Sequence, residues 1–399
     1  WGIAISFITI IVLVQRKVQL GVALLIGSLI AGLFSGQTLF SLLEIAGKAV
    51  VERTAVTLIL TLGLISLLGF IMQELSLLTK MVNSLQITLR STKLTIMFVP
   101  SIIGTLLVHG GAIMSAPLVG KLGDELDLPP ARQAAINLVF RHGWYFIYPI
   151  MPAFVLVTGI TGLSLSRLLV AQIPLTIAMI LSGYLVYLRK VPDKGHLGPP
   201  AKKQDYLNLL IFTSPIWVSL FLTVGVNISF PIALLAGISL ALIIAKPATK
   251  NILPLFWRGI NFPIIISGAA IMIFKAVTSR IDALPPLIDS ILATGMPAKL
   301  LFFLLPLMTG IVSASNTSAL GLTLPLLLPS MLNANLLFFG TMAAYTGSFL
   351  GYFVSPIHLC QVLTLAQLKA KVMPLYREYL VPIVSVISTI TILGLFINY

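Results

Sequence analysis

The chain has 399 residues and a net charge of +14, with 58% hydrophobic and only 9% charged residues, and its mean hydropathy is +1.07. A soluble domain carries about 25% charged residues, so a water-soluble globule is excluded, and with Cys360 as the only cysteine no disulfide or cysteine cluster can form within the chain. The basic excess belongs to loops on one side of a bilayer rather than to a nucleic-acid surface.

Apolar runs recur along the sequence, each near the ~20 residues that cross hydrocarbon as a helix. They lack the apolar–polar alternation of barrel strands, and lipid leaves helices as the other way to satisfy the backbone. The expectation is an all-α polytopic membrane protein of about ten transmembrane helices plus two re-entrant hairpins. The spans are predicted at 1–14, 18–36, 53–74, 131–159, 163–188, 206–225, 228–245, 258–279, 334–359 and 375–398. The hairpins fall at 94–123 and 298–330. The first run, 1–14, reads as a truncated span and not as a cleaved signal peptide, since it has no basic leading region and no cleavage site.

In the first hairpin, a polar break at His109-Gly110-Gly111 separates two apolar arms, each too short to cross comfortably, and Ser115 follows. Exposed backbone at that depth is tolerable only inside protein or beside water. The next span is interrupted near Pro149 and Pro152 and carries Asn137, Arg141 and His142. An arginine within a span is expensive and marks function by default; Arg141 can clamp a carboxylate or other oxyanion with its planar fork.

A polar segment at 189–205, the longest hydrophilic stretch, divides the chain. Beyond it the second hairpin places Ser313, Ser315, Asn316, Thr317 and Ser318 in the middle of apolar sequence. Hydroxyls, an amide and unwound carbonyls are hard oxygen donors, and a helix starting after them points its positive end at the tip. Ser313, Ser315, Asn316 and Thr317 form a candidate sodium site on this reading. The span that follows, interrupted at Pro356, carries Ser355 and His358.

The halves resemble each other. Ala23-Leu24-Leu25-Ile26-Gly27 lines up with Ala233-Leu234-Leu235-Ala236-Gly237, Lys93 to Pro100 with Lys299 to Pro306 (and Gly104 with Gly310), and Tyr145-Phe146-Ile147-Tyr148-Pro149 with Tyr352-Phe353-Val354-Ser355-Pro356. Three matches in order at nearly constant offset are a repeat signal. With 189–205 cytoplasmic, eighteen of the 25 basic residues face the cytoplasm and five face outward. Five spans per half then force the second half upside down, giving two inverted-topology repeats at 1–188 and 206–399. The expected location is the cell (inner) membrane.

These residues predict a secondary transporter of a small organic anion of carboxylate type, driven by Na+ or H+. The anion would meet Arg141 and the hairpin tips, within a set comprising His109, Gly110, Gly111, Ser115, Asn137, Arg141, His142, Ser315, Asn316, Thr317, Ser355 and His358. No cofactor beyond the coupling ion is expected. A cation/proton exchanger is disfavoured because no acid is read squarely mid-span. A lipid-handling protein or intramembrane enzyme has only Ser115 near His109 as a loose nucleophile–base pair, so no enzymatic activity is expected.

The stretch His109 to Val119, followed by Asn137 and Phe140-Arg141-His142-Gly143-Trp144, resembles an uncharacterised integral membrane family related to gluconate permeases, within the ion transporter superfamily. Ser315-Asn316-Thr317 is similar to the hairpin-tip motif of that superfamily's divalent-anion/sodium symporters. The resemblance implies a homodimer, with scaffold segments at 1–75 and 206–280 and elevator-like transport segments at 93–188 and 298–398. In those symporters both tips carry the motif and bind sodium; His109-Gly110-Gly111 replaces it here and leaves coupling to sodium or protons open.

Overall fold

A computed structural model describes residues 2–89, 91–105, 111–193, 201–282 and 293–397, together with 286, 290 and 291. Among these residues the fold is entirely helical. The first half comprises α1 (Gly2–Gln15), α2 (Leu20–Phe34), α3 (Leu39–Val51), α4 (Arg53–Glu74), α5 (Leu77–Thr88), α6 (Thr92–Thr105), α7 (Gly111–Glu125), α8 (Pro130–His142), α9 (Pro152–Thr161) and α10 (Leu165–Tyr187). The second comprises α11 (Lys203–Leu220), α12 (Phe230–Ala245), α13 (Ile252–Gly259), α14 (Phe262–Thr278), α15 (Ala298–Ser313), α16 (Asn316–Asn333), α17 (Leu337–Val354), α18 (Leu359–Leu368) and α19 (Val372–Phe396).

Five helical stretches among the described residues are long and apolar enough to cross a membrane: α4, α10, α11 with its extension to Gly225, α17 with α18, and α19. The remaining predicted spans are shorter apolar helices or broken ones. The predicted span 258–279 begins only after a break, where α13 and α14 meet at a 43° bend. Helices α3, α5, α13 and α18 have no counterpart among the predicted spans. They are short, and α3 buries only one face, through Leu42, Ile45 and Ala49. Phe40, Leu253 and Phe396 stand almost fully exposed, the pattern of side chains that face lipid.

Local sequence sets the breaks. Pro130 opens α8 and Pro152 opens α9, each at a position where the missing N–H is harmless. Gly162 ends α9 with φ +74°, a conformation glycine adopts without strain. Asn261 caps α14 by accepting a hydrogen bond from the Ile264 N–H at 3.2 Å, and Ser315 does the same for α16 with the Ser318 N–H at 3.1 Å.

Helices α2, α4, α12 and α14 pack together, with α1 on α2 and α11 on α12. Helices α15 and α17 make the most intimate contact in the fold. A Cβ on Gly347 would lie 2.1 Å from the Phe303 carbonyl oxygen, and one on Gly351 2.0 Å from that of Leu307. These glycines, four apart, let two backbones touch, as small residues do between membrane helices. Behind them Phe146, Phe154, Tyr345, Phe349 and Phe353 form a buried aromatic layer.

Candidate functional site

A cavity of about 650 Å³ opens where several of these breaks converge. One wall is the α4 face from Leu62 to Gln73, and another is the α13–α14 junction from Arg258 to Ile264. Its inner wall is the α15–α16 tip, Ala314 to Thr317, with Tyr145, Met151, Pro152, Ala153 and Tyr352. Gln73 and Arg258 at the rim are exposed, whereas Tyr145 and Asn316 are buried. Arg258 pairs with Glu74 at 2.9 Å beside the mouth.

The tip is short. Ala314, with φ +49°, and the extended Ser315 separate two helices that end and begin there. The Ser313 hydroxyl donates to the Ser315 carbonyl at 3.2 Å. Asn316 Oδ1 accepts a 2.5 Å hydrogen bond from the Ser348 hydroxyl, while its Nδ2 is buried without a partner among the described residues. Ser315, Asn316 and Thr317 line the cavity, at the N-terminal end of α16.

The other predicted residues that the structure describes do not line this cavity. Arg141 is on the last turn of α8 and only 3% exposed; its Nε and Nη1 are buried with no hydrogen-bond partner among the described residues. A Cβ on Gly104 would lie 2.2 Å from the Arg141 carbonyl oxygen, so α6 crosses α8 in direct backbone contact there. Asn137 Nδ2 donates to the Thr364 hydroxyl at 2.8 Å, and its Oδ1 has no partner among the described residues. The Ser355 hydroxyl donates to the Ile311 carbonyl at 2.7 Å. Ser115 is fully buried in α7. Gly111 opens α7, and His109 and Gly110 lie outside the described residues.

His142 and His358 sit together, ring centroids 5.0 Å apart, among Tyr145, Tyr352 and Phe353. Neither histidine lines the cavity.

The structure also supplies residues that the sequence does not single out. Leu62, Ser66, Gly69 and Gln73 of α4 and Asn261 of the α13–α14 break line the cavity. The Asn-Phe-Pro run at 261–263 was the available signal: a capping residue before a proline marks a helix start inside an apolar stretch. Glu378 lies near the start of a span rather than in its middle. It sits on the second turn of α19 and meets Arg132 of α8 through two 3.3 Å contacts.

No curated protein matches the sequence. Residues 3–397 match a family described as a protein of unknown function (DUF401), and the chain belongs to that family.

Proposed function

We propose that the protein is a secondary transporter of a small organic anion, coupled to Na+ or H+, in which one helical unit moves against another. The observation that carries this reading is Arg141. A guanidinium buried with no acid and no N–H acceptors at Nε and Nη1 among the described residues is costly. An anion arriving from the cavity would supply the missing acceptors, in the bidentate geometry that arginine favours.

The repeat supports the transporter architecture. Helix starts recur in order: Leu20 with Phe230, Thr92 with Ala298, Pro152 with Leu359, and Leu165 with Val372. Contacts recur as well. Gly104 presses on the Arg141 carbonyl as Gly310 presses on the Ser348 carbonyl; a Cβ on these glycines would lie 2.2 and 2.5 Å from the two oxygens. Arg141 and Ser348 therefore occupy matching places in the two halves, and Ser348 holds the Asn316 tip.

One asymmetry suits alternating access. Helices α9 and α16 pack on α14, and α9 also on α4, whereas among the described residues their matching elements α18 and α7 pack on each other without a comparable seat on α4. A second state in which α7 and α18 take that seat is the alternate conformation that inverted repeats imply. In this assignment α1–α4 and α11–α14 are the scaffold. The oxygens of Ser313, Ser315, Asn316 and Thr317 would hold a sodium ion, a hard cation that favours hydroxyl, amide and carbonyl donors.

The test is thermal stability of the purified protein against small carboxylates and inorganic oxyanions, in sodium and in choline, at two pH values. A ligand that binds only the folded state raises the melting temperature. Stabilisation by one anion class, larger in sodium or at low pH, is expected. Absence of stabilisation by any anion, together with no effect of sodium alone, overturns the reading.

A further inference from the structure

We propose that His142, His358 and Cys360 form a binding site for a soft monovalent metal ion, Cu(I), at the junction of α8 with the α17–α18 break. Their ligand atoms all lie within 4.8 Å of one another. Bond lengths of about 2.0–2.3 Å to nitrogen and sulfur place the donors of a three-coordinate site roughly 3.5–4 Å apart. Small side-chain rotations close that difference.

The two imidazoles are already arranged as ligands. His142 Nδ1 faces the Leu138 carbonyl at 2.7 Å, and His358 Nδ1 faces the Phe353 carbonyl at 3.5 Å. A carbonyl accepts only from N–H, so each ring carries its proton on Nδ1 and its lone pair on Nε2. Metal-binding histidines are fixed in this way by their outer partners. His358 Nε2 is buried with no hydrogen-bond partner among the described residues, in a side chain that is 1% exposed. His142 Nε2 meets the Tyr352 hydroxyl, at a long 3.3 Å.

Charge selects the ion. Both histidines are buried, Cys360 is partly exposed, and Arg141 acts electrostatically on both histidines. The thiol releases its proton to the medium on coordination, so Cu(I) with one thiolate and two neutral imidazoles is uncharged. A divalent ion would leave a positive charge beside the guanidinium. Thiolate and imidazole are the donors that soft Cu(I) prefers. Tyr352 lines the cavity and also touches His142, so the site lies one side chain away from the cavity.

The proposal stands on this cluster and does not depend on the anion reading. Its test uses the full chain in detergent under ascorbate, with Cu(I) supplied against bicinchoninate as competing chelator. The wild type is expected to retain one Cu(I) per chain. Cys360→Ser and His358→Gln are expected to bind at least about 100-fold more weakly, since loss of outer-shell partners alone costs roughly 10–100-fold. In a second measurement, maleimide labels Cys360, the only thiol, in native membranes. Cu(I) is expected to protect it in the wild type and not in His358→Gln. Failure of the wild type to compete with the chelator, equal retention by Cys360→Ser, or preference for Zn2+ over Cu(I) overturns the proposal. Anion-dependent stabilisation of the wild type, measured without copper, decides the anion reading separately.

Discussion

Lys275 on α14 donates a 2.7 Å hydrogen bond from Nζ to the carbonyl oxygen of Ile160, on the last turn of α9. Carbonyls there have no partner within the helix and carry the negative end of its dipole, so a half-buried ammonium is well placed. Asn261 at the cavity mouth and Lys275 lie at opposite ends of the same helix, roughly 20 Å apart at 1.5 Å per residue. The lysine thus ties α9 to α14 at the end opposite the opening. It shares a second cleft with Lys48, Glu52 and Arg280.

Lys275→Met is expected to release this tie and shift the protein away from the conformation described above. A charge-assisted hydrogen bond contributes about 1.5–3 kcal/mol when buried, and half-exposure brings the expected shift nearer 1 kcal/mol, or about fivefold in population. The measurement is maleimide labelling of Ser66→Cys in a Cys360→Ser background. Ser66 lines the cavity, so its labelling falls if α9 and α16 move off that wall. Unchanged labelling would show that the contact does not bias the conformation.

Gly351→Ala is expected to destabilise the fold, because its Cβ would meet backbone, the Leu307 carbonyl oxygen at 2.0 Å. Overpacking a tight contact costs about 1–3 kcal/mol, and backbone cannot rotate aside as a flexible side chain can. Gly47→Ala is the control, since nothing lies within 4 Å of its Cβ position. Thermal unfolding in detergent should show a drop of several degrees for the first variant and none for the second. Equal melting temperatures would mean that α15 and α17 separate easily.

The apolar helices were legible in the sequence because long apolar runs cross lipid and polar or proline-bearing positions interrupt them; the short helices α3, α5, α13 and α18 were not, since none is long enough to read as a span. Ser315-Asn316-Thr317 was legible for the same reason, as small polar residues where none are needed for packing. Cys360 was not, because one cysteine carries no pattern. Its neighbours His142 and His358 are 216 residues apart in sequence and meet only after folding. Ser66 and Gly69 are invisible as cavity residues, since α4 alone reads as an ordinary span. Lys275 was visible as a charge in a span, but its partner is a backbone carbonyl, and no side-chain pattern announces that.

Arg141→Lys is expected to keep the fold and lose anion binding. Lysine retains the charge but not the planar fork, and at a bidentate site the two are not interchangeable. Loss of one charge-assisted hydrogen bond, about 1.5–3 kcal/mol, corresponds to a roughly 10- to 160-fold rise in Kd, measured by anion-dependent thermal shift or isothermal titration. Arg141→Met should stabilise the protein without ligand, because it removes a buried charge whose Nε and Nη1 have no partner among the described residues. Wild-type affinity in Arg141→Lys would place the anion elsewhere.

At the α15–α16 tip, two substitutions separate holding the helix from meeting the solute. The Ser315 hydroxyl accepts from the Ser318 N–H, so Ser315→Ala should lower stability by about 1 kcal/mol through loss of the cap. Asn316→Asp changes little in size but adds a negative charge next to the cavity. Its oxygens can still accept from Ser348, which donates to Oδ1 in the wild type, and the N-terminal end of α16 favours an anionic side chain. The fold should therefore survive. A carboxylate there repels an anionic solute and attracts a cation, so anion binding should weaken at least about tenfold, for a repulsion near 1.4 kcal/mol. Sodium binding, followed by thermal shift in sodium against choline, should strengthen if sodium sits at this tip. Weakened anion binding with unchanged sodium response would keep the solute at the tip and move the coupling ion elsewhere.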